Sequence, residues 1–281
     1  MSGPHGLRLR RCVRLDFGDE PLSGTQAPGG EGDRAAARTL YHRDLLRPHG
    51  LETGLDTAAL KTPGPSYGEM GRTLLEAAVS PDEPVDLLVL AYAVPDLEPG
   101  RATATYLSHL CPGRPMAFAI SDQGTAAAFT GLKLIGEYAR SGDTRRAVLL
   151  ILEQPTLPYD PGVPVTLPAA AAGVALVLEA PESHVRADAD ADMDTDVDAA
   201  ELTLRLTSVS VEPGVAEPEP PRASDGTSVL LGAGFTPDET RPYTGVWWQL
   251  LGLLSTRDDV LLADFEPVSQ SVCLAEFRAR T

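Results

Sequence analysis

The chain is short of the residues that would point to phosphate binding, metal binding or thiol chemistry. Of its 23 basic residues only two are lysine, Lys61 and Lys133, and 40 acidic residues oppose them, giving a formal net charge of −17. A protein that grips nucleic acid needs a basic face, so nucleic acid is not expected as a partner. The three cysteines, Cys12, Cys111 and Cys273, lie far apart and never in C-x-x-C spacing. They suggest neither a zinc site nor a disulfide framework, and a reducing, cytoplasmic compartment is expected. No apolar run reaches 18 residues, and Met1 to Arg11 has no apolar signal-like core, so neither a membrane span nor a secretory leader is expected. Histidine is scarce too: His5, His42, His49, His109 and His184, with none in the last third of the chain. No cofactor is implied.

What is present is an ordinary globular composition. With 281 residues, 43% of them apolar, the chain can bury a sizeable core. Leu7 to Phe17 alternates as a strand, and residues 18–65 read as irregular. Ser66 to Val79 reads as a helix with Ser66 as its N-cap, Glu69 three residues on, and a stripe of Met70, Leu74, Leu75 and Ala78. Val85 to Ala91, Ala147 to Glu153 and Ala171 to Leu178 are nearly unbroken apolar runs, as strands covered on both faces should be. Ala102 to Leu110 and the Ala-rich stretch Ala126 to Arg140 read as helices around a strand at Pro115 to Ile120. Strands alternating with helices predict an α/β layered sheet. Beyond it, Leu202 to Val211, Val229 to Leu231, Val260 to Phe265 and Ser271 to Phe277 read as strands, and Tyr243 to Ser255 as an apolar helix. Three segments follow: an N-terminal half over 1–180, an acidic low-complexity linker over 181–200, and a shorter C-terminal half over 201–281.

The linker tests the idea of a cation site. Asp190, Asp192, Asp194, Asp196, Asp198 and Glu201 match the ligand positions of a calcium loop, but Thr195 replaces the turn glycine and Pro181 and a strand replace the flanking helices. A solvated acidic linker is the expected reading.

From Val85 to Glu153 the order is strand, "VPDLEPGRATATYLSHLC", strand "MAFAIS", an abrupt "DQGT" turn, the Ala-rich helix and strand "VLLILE". This order resembles the N-terminal half of the thiolase-like superfamily, above all its type III ketosynthases. The closing "TGVWWQLLGLLSTRDDVLLADFEPVSQSVCLAEF" is similar to that family's last helix and strands. The resemblance implies a thiolase-like layered α-β-α fold with a shortened C-terminal half. It also implies a nucleophile elbow, where a cysteine at a helix N-terminus has its pKa lowered by the helix dipole while backbone amides hold an oxyanion.

The elbow here reads Ser121-Asp122-Gln123-Gly124-Thr125, with no thiol. The family's histidine would fall at Gly232 or Ala233, and its asparagine near Tyr243-Thr244. With cysteine, histidine and asparagine all absent from these positions, the resemblance implies a catalytically degenerate, chain-length-factor-like subunit of a bacterial acyl or polyketide pathway. Such a subunit would pair with an active ketosynthase or with itself, and could dock an acyl carrier protein. The second expectation is an acyltransferase, hydrolase or decarboxylase acting on acyl-CoA or carrier thioesters through Ser121, Asp122, Gln123 or Thr125, with His109 as the one nearby histidine. Dimer contact is expected along Ala147 to Glu153, as an exposed apolar edge there would otherwise invite aggregation.

Overall fold

The computed structural model describes residues 7–18, 31–61, 64–98, 102–162, 165–180, 204–216, 218–222, 227–236, 238, 240–253 and 259–279. The acidic run at 181–203 lies outside the described residues.

Among the described residues, nine strands form one sheet. They are β1 (Arg8–Asp16), β2 (Leu87–Tyr92), β3 (Met116–Ile120), β4 (Arg146–Glu153), β5 (Ala172–Glu179), β6 (Leu204–Glu212), β7 (Thr227–Leu231), β8 (Asp259–Glu266) and β9 (Ser271–Arg278), in the order β3-β2-β4-β5-β1-β6-β9-β8-β7. The order contains a repeat. In the first half β2 runs parallel to β4, which pairs antiparallel with β5, which pairs antiparallel with β1. In the second half β7, β8, β9 and β6 repeat that sequence of parallel, antiparallel and antiparallel pairings. The halves join where Arg8 and Leu9 pair with Arg205 and Leu204.

The helices explain why the central strands are apolar throughout. Helix α2 (Tyr67–Ala78) and α3 (Thr103–Leu110) cover one face of the first half, burying Leu88, Leu90, Val148, Leu150 and Leu152. Helix α4 (Ala126–Ser141) covers the other face, over Leu87, Val89, Leu149 and Ile151, and also packs on β6 and β9 of the second half. Lying between two sheet halves, α4 must be slim: Ala126, Ala127, Ala128 and Gly131 are buried, and a Cβ at Gly131 would sit 2.8 Å from Leu149 Cδ1. Helix α5 (Gly245–Leu253) shares this central layer, its Trp247 packing on Phe129 of α4 with ring centroids 4.8 Å apart. The α2 start is as the sequence predicts, since Ser66 and Glu69 form a reciprocal capping box.

Two expectations are corrected. Residues 18–65 are not irregular throughout, for α1 (Glu31–Leu46) and two single-turn 3₁₀ helices at Arg47–His49 and Glu52–Gly54 lie within them. Helix α1 escapes the eye because its polarity is inverted. Its buried residues include Arg38 and His42, bonded to Leu60 O, Glu98 and Leu97 O, while Leu40, Tyr41 and Leu45 face outward. Strand β4 is not an edge either: it is paired along its whole length with β2 and β5. The terminal strands of the sheet are β3 and β7.

Candidate functional site

Strand β3 ends at Ile120 and α4 begins at Ala126, so Ser121 to Thr125 must reverse the chain within five residues. Asp122 does so at φ 60°, a left-handed conformation that aspartate tolerates better than most side chains, and Gly124 follows at φ 52°. Gln123 Oε1 accepts from Thr130 Oγ1 at 2.7 Å, tying the turn to the second turn of α4. Thr125 stands at the N-cap, yet its side chain caps nothing.

The capping group arrives from the far end of the chain. The Thr125 amide donates to Glu266 Oε2 at 2.7 Å, and the Val268 amide donates to Glu266 Oε1 at 3.0 Å. A carboxylate from the last residue of β8 therefore meets the positive end of α4, where free amides attract anions. Gly124 is required here, since any Cβ would collide with that carboxylate at a φ already unfavourable for side chains.

Two residues earlier on the same face of β8, Asp264 is 1% exposed and accepts from the amides of Gly234 at 2.9 Å and Phe265 at 2.8 Å. Burial pushes its pKa up to about 6, against the pull of those amides. A side chain at Gly232 would collide with the Asp264 carboxylate. So the space beside the position where the resemblance places a histidine holds an acid. The Thr125 hydroxyl is buried against this acid and lowers its pKa slightly, without forming a hydrogen bond of normal geometry.

The sheet repeat is mirrored at the second central helix. Glu153 ends β4 as Glu266 ends β8, and it accepts from the amides of Tyr243 and Thr244, each at 3.0 Å, and from Thr244 Oγ1, just ahead of α5. It is wholly buried, and burial pushes its pKa up to about 7 despite these donors. Each central helix is thus capped by a strand-end glutamate of the repeat.

A cleft of about 530 Å³ opens over the elbow, walled by Asp122, Gln123, Gly124 and Thr125, by Tyr159 and Val165 of the Pro155 to Pro168 loop, and by Tyr243 and Glu266. Asp122 also lines a second cleft of about 460 Å³, with Ser121, Tyr92 and Asp96. The elbow residues are therefore split: Gln123 and Thr125 face the first cleft, Ser121 the second, and Asp122 both. His109 lies elsewhere, exposed on α3 with Nδ1 2.7 Å from Thr105 O, and no described histidine lines either cleft. The thiols are buried, and burial pushes Cys12 and Cys273 up to about 12 and Cys111 to about 11, so none supplies a thiolate near neutrality. Among the described residues no cluster of three or more His, Cys, Asp or Glu could hold a metal ion, and no helix is long and apolar enough to cross a membrane.

Glu153, Asp264 and Glu266 are the site residues that sequence reasoning missed. The signal was an acid closing an otherwise apolar strand, "VLLILE" and "VLLADFE", twice in corresponding places.

No protein-family model and no curated protein matches the chain. Solved structures do. ChlB3, described as an acyltransferase, is 15% identical with a TM-score of 0.58 over 98% of both chains. A variant of OleA from Xanthomonas campestris is 11% identical with a TM-score of 0.59 over 99% of both chains. AbyA1, a tetronic acid condensing enzyme, is 16% identical with a TM-score of 0.54 over 97% of this chain and 100% of its own. These likenesses establish the thiolase-like fold.

Proposed function

Starting from a thiolase-like fold whose elbow carries no thiol, we propose that this chain is a catalytically silent ketosynthase-like subunit of a bacterial acyl or polyketide pathway. The observation that carries this reading is Glu266 on the Thr125 amide. Oxyanion stabilisation needs a preorganised donor free to meet the developing charge. Here the amide at the helix N-terminus already holds a carboxylate, and that negative charge would oppose a second anion beside it. Asp264 beside Gly232 adds to the case, because it is buried, held by the Gly234 and Phe265 amides, and is not among the residues lining the cleft.

The test is to incubate the purified chain with a panel of acyl-CoA and acyl-carrier thioesters, following thiol release and intact protein mass together. The reading expects neither turnover nor adduct from folded protein. An adduct that disappears in Asp122→Ala, Gln123→Ala or Thr125→Ala would overturn it and favour the second reading. That reading is a thioester-handling acyltransferase, hydrolase or decarboxylase, supported by the open cleft at the elbow, where Asp122, Gln123 and Thr125 remain polar.

A silent subunit acts through a partner, and β3, one of the two terminal strands of the sheet, is available for one. Among the described residues it pairs only with β2, it ends the sheet, and it exposes Met116 (49%) and Ala119. Unpaired edges recruit other strands. We place the contact with an active ketosynthase, or with a second copy, along β3, and Ala119→Lys is expected to abolish co-purification with that partner while leaving the chain folded.

A further inference from the structure

We propose that a groove along the outward side of α1 docks a partner protein through an acidic amphipathic helix. The apolar side of that helix lies on Ala36 and Leu40, and its carboxylates meet Arg43 and Lys61. The groove is separate from the elbow, since none of these four residues lines either cleft there.

A surface helix ordinarily turns its apolar side to the core and its charged side to water. Helix α1 does the reverse: Arg38 and His42 are buried, while Leu40 is 57% exposed. Arg38 Nε donates to the Leu60 carbonyl at 2.9 Å, which brings Leu60 and Lys61 alongside the helix. Between them runs a groove of about 620 Å³, floored by Ala35, Ala36, Thr39 and Leu40 and walled by Arg43 and Lys61.

The charge of this groove is opposite to that of the chain. Arg43 and Lys61 are the only charged residues among its described lining, on a chain of net charge −17 that has just two lysines. Both are exposed, and neither side chain makes an ion pair or hydrogen bond among the described residues. Arginines elsewhere are engaged by carboxylates: Arg10 and Arg146 by Glu179, Arg11 by Glu83, Arg278 by Glu276. Of the acids on α1, Asp44 is held by Arg47 at 3.1 Å, and Asp33 is not among the lining residues. Arg43 stands in the last turn of α1, where the helix dipole favours a cation in any case, but Lys61 has no such reason to be there. An apolar floor beside unpaired cations fits a helix with one apolar and one acidic face, because complementary charge sets which partner docks and in what register. A basic helix would meet like charge at both cations.

The test titrates the full chain, at pH 7 and low ionic strength, with two fluorescein-labelled, lactam-stapled four-turn helices read by fluorescence anisotropy. Both carry leucine on one face; the opposite face is glutamate in one and lysine in the other. The chain's net charge alone would favour the lysine helix. The groove predicts the reverse, with the glutamate helix bound at least about tenfold tighter and the gap closing as salt is raised. Arg43→Glu combined with Lys61→Glu should abolish that preference, and Ala36→Tyr should weaken the glutamate helix. All three side chains are exposed, so circular dichroism should show these variants folded as the parent is. Tighter binding of the lysine helix, a preference unchanged in the double variant, or no binding of either helix would overturn the proposal. A dimer that becomes a monomer in the double variant would give the groove to a second copy, and decanoate displacing the glutamate helix would give it to a free carboxylate; either would overturn it as well.

Discussion

Replacing Glu266 by alanine removes both the cap of α4 and a carboxylate that is 5% exposed in the centre of the molecule. Losing a side-chain acceptor at a helix N-cap costs about 1 kcal/mol, and losing its charge from the helix dipole about 0.3–1 kcal/mol more. The bond from the Val268 amide adds about 1 kcal/mol, since that amide loses its acceptor as well. Against this, Asp264 loses a like charge two residues away, which returns a few tenths of a kcal/mol. The net expectation is a loss of about 2 kcal/mol, or roughly 3–4 °C in Tm for a chain of this size. Glu266→Gln keeps an acceptor oxygen and should cost about half as much. Thermal and urea unfolding followed by circular dichroism measure both. If Glu266→Ala unfolds within about 0.5 kcal/mol of the parent, or if glutamine costs as much as alanine, the capping argument is wrong.

Gly124→Ala should be more damaging than an ordinary surface substitution, costing about 2 kcal/mol or more, because the new Cβ meets the Glu266 carboxylate at a positive φ; the same unfolding experiment checks it. Ser66→Ala removes half of the α2 capping box and should cost about 1 kcal/mol in the same unfolding experiment. Glu153 makes stability depend on pH. Its folded pKa of about 7 lies above the unfolded value, so it binds its proton more tightly when folded, and its contribution is full below about pH 4 and lost as pH rises through about 7. Urea midpoints of the parent should therefore fall from pH 4.5 to 7.5 relative to those of Glu153→Gln, and parallel curves would refute that sign.

The sheet was largely legible because its strands obey simple rules. Strands β2, β4 and β5 bury alternate residues in two cores, so they had to be apolar at every position, and apolar runs this short favour a buried strand over a helix. The capping box of α2 was legible for the same local reason. Helix α1 was hidden because tertiary ion pairs and hydrogen bonds, not an apolar stripe, hold Arg38 and His42 inside. The place of β4 was misjudged because an apolar run looks alike at an edge and in the middle of a sheet; only pairing decides, and its partners β2 and β5 lie on either side of it in the sheet order. At the elbow, the absence of a cysteine from Ser121 to Thr125, and of any histidine beyond His184, could be read directly. The carboxylates could not, because Thr125 and Glu266 are 141 residues apart and only the fold brings them together.

The central claim is that a carboxylate already occupies the anion-binding end of α4, and a thiol placed there would report on it. The native cysteines are buried with raised pKa values, so they leave a quiet background for alkylation. The rate of iodoacetamide reaction of the Gln123→Cys variant, whose side chain is exposed in the cleft that Glu266 also lines, gives the pKa of the introduced thiol when measured against pH. The account predicts a value at or above the ordinary value of about 8.5 in that single variant, falling by about one unit or more when Glu266→Gln is added. A pKa already depressed with Glu266 intact would contradict it, because the helix terminus would then be open to an anion.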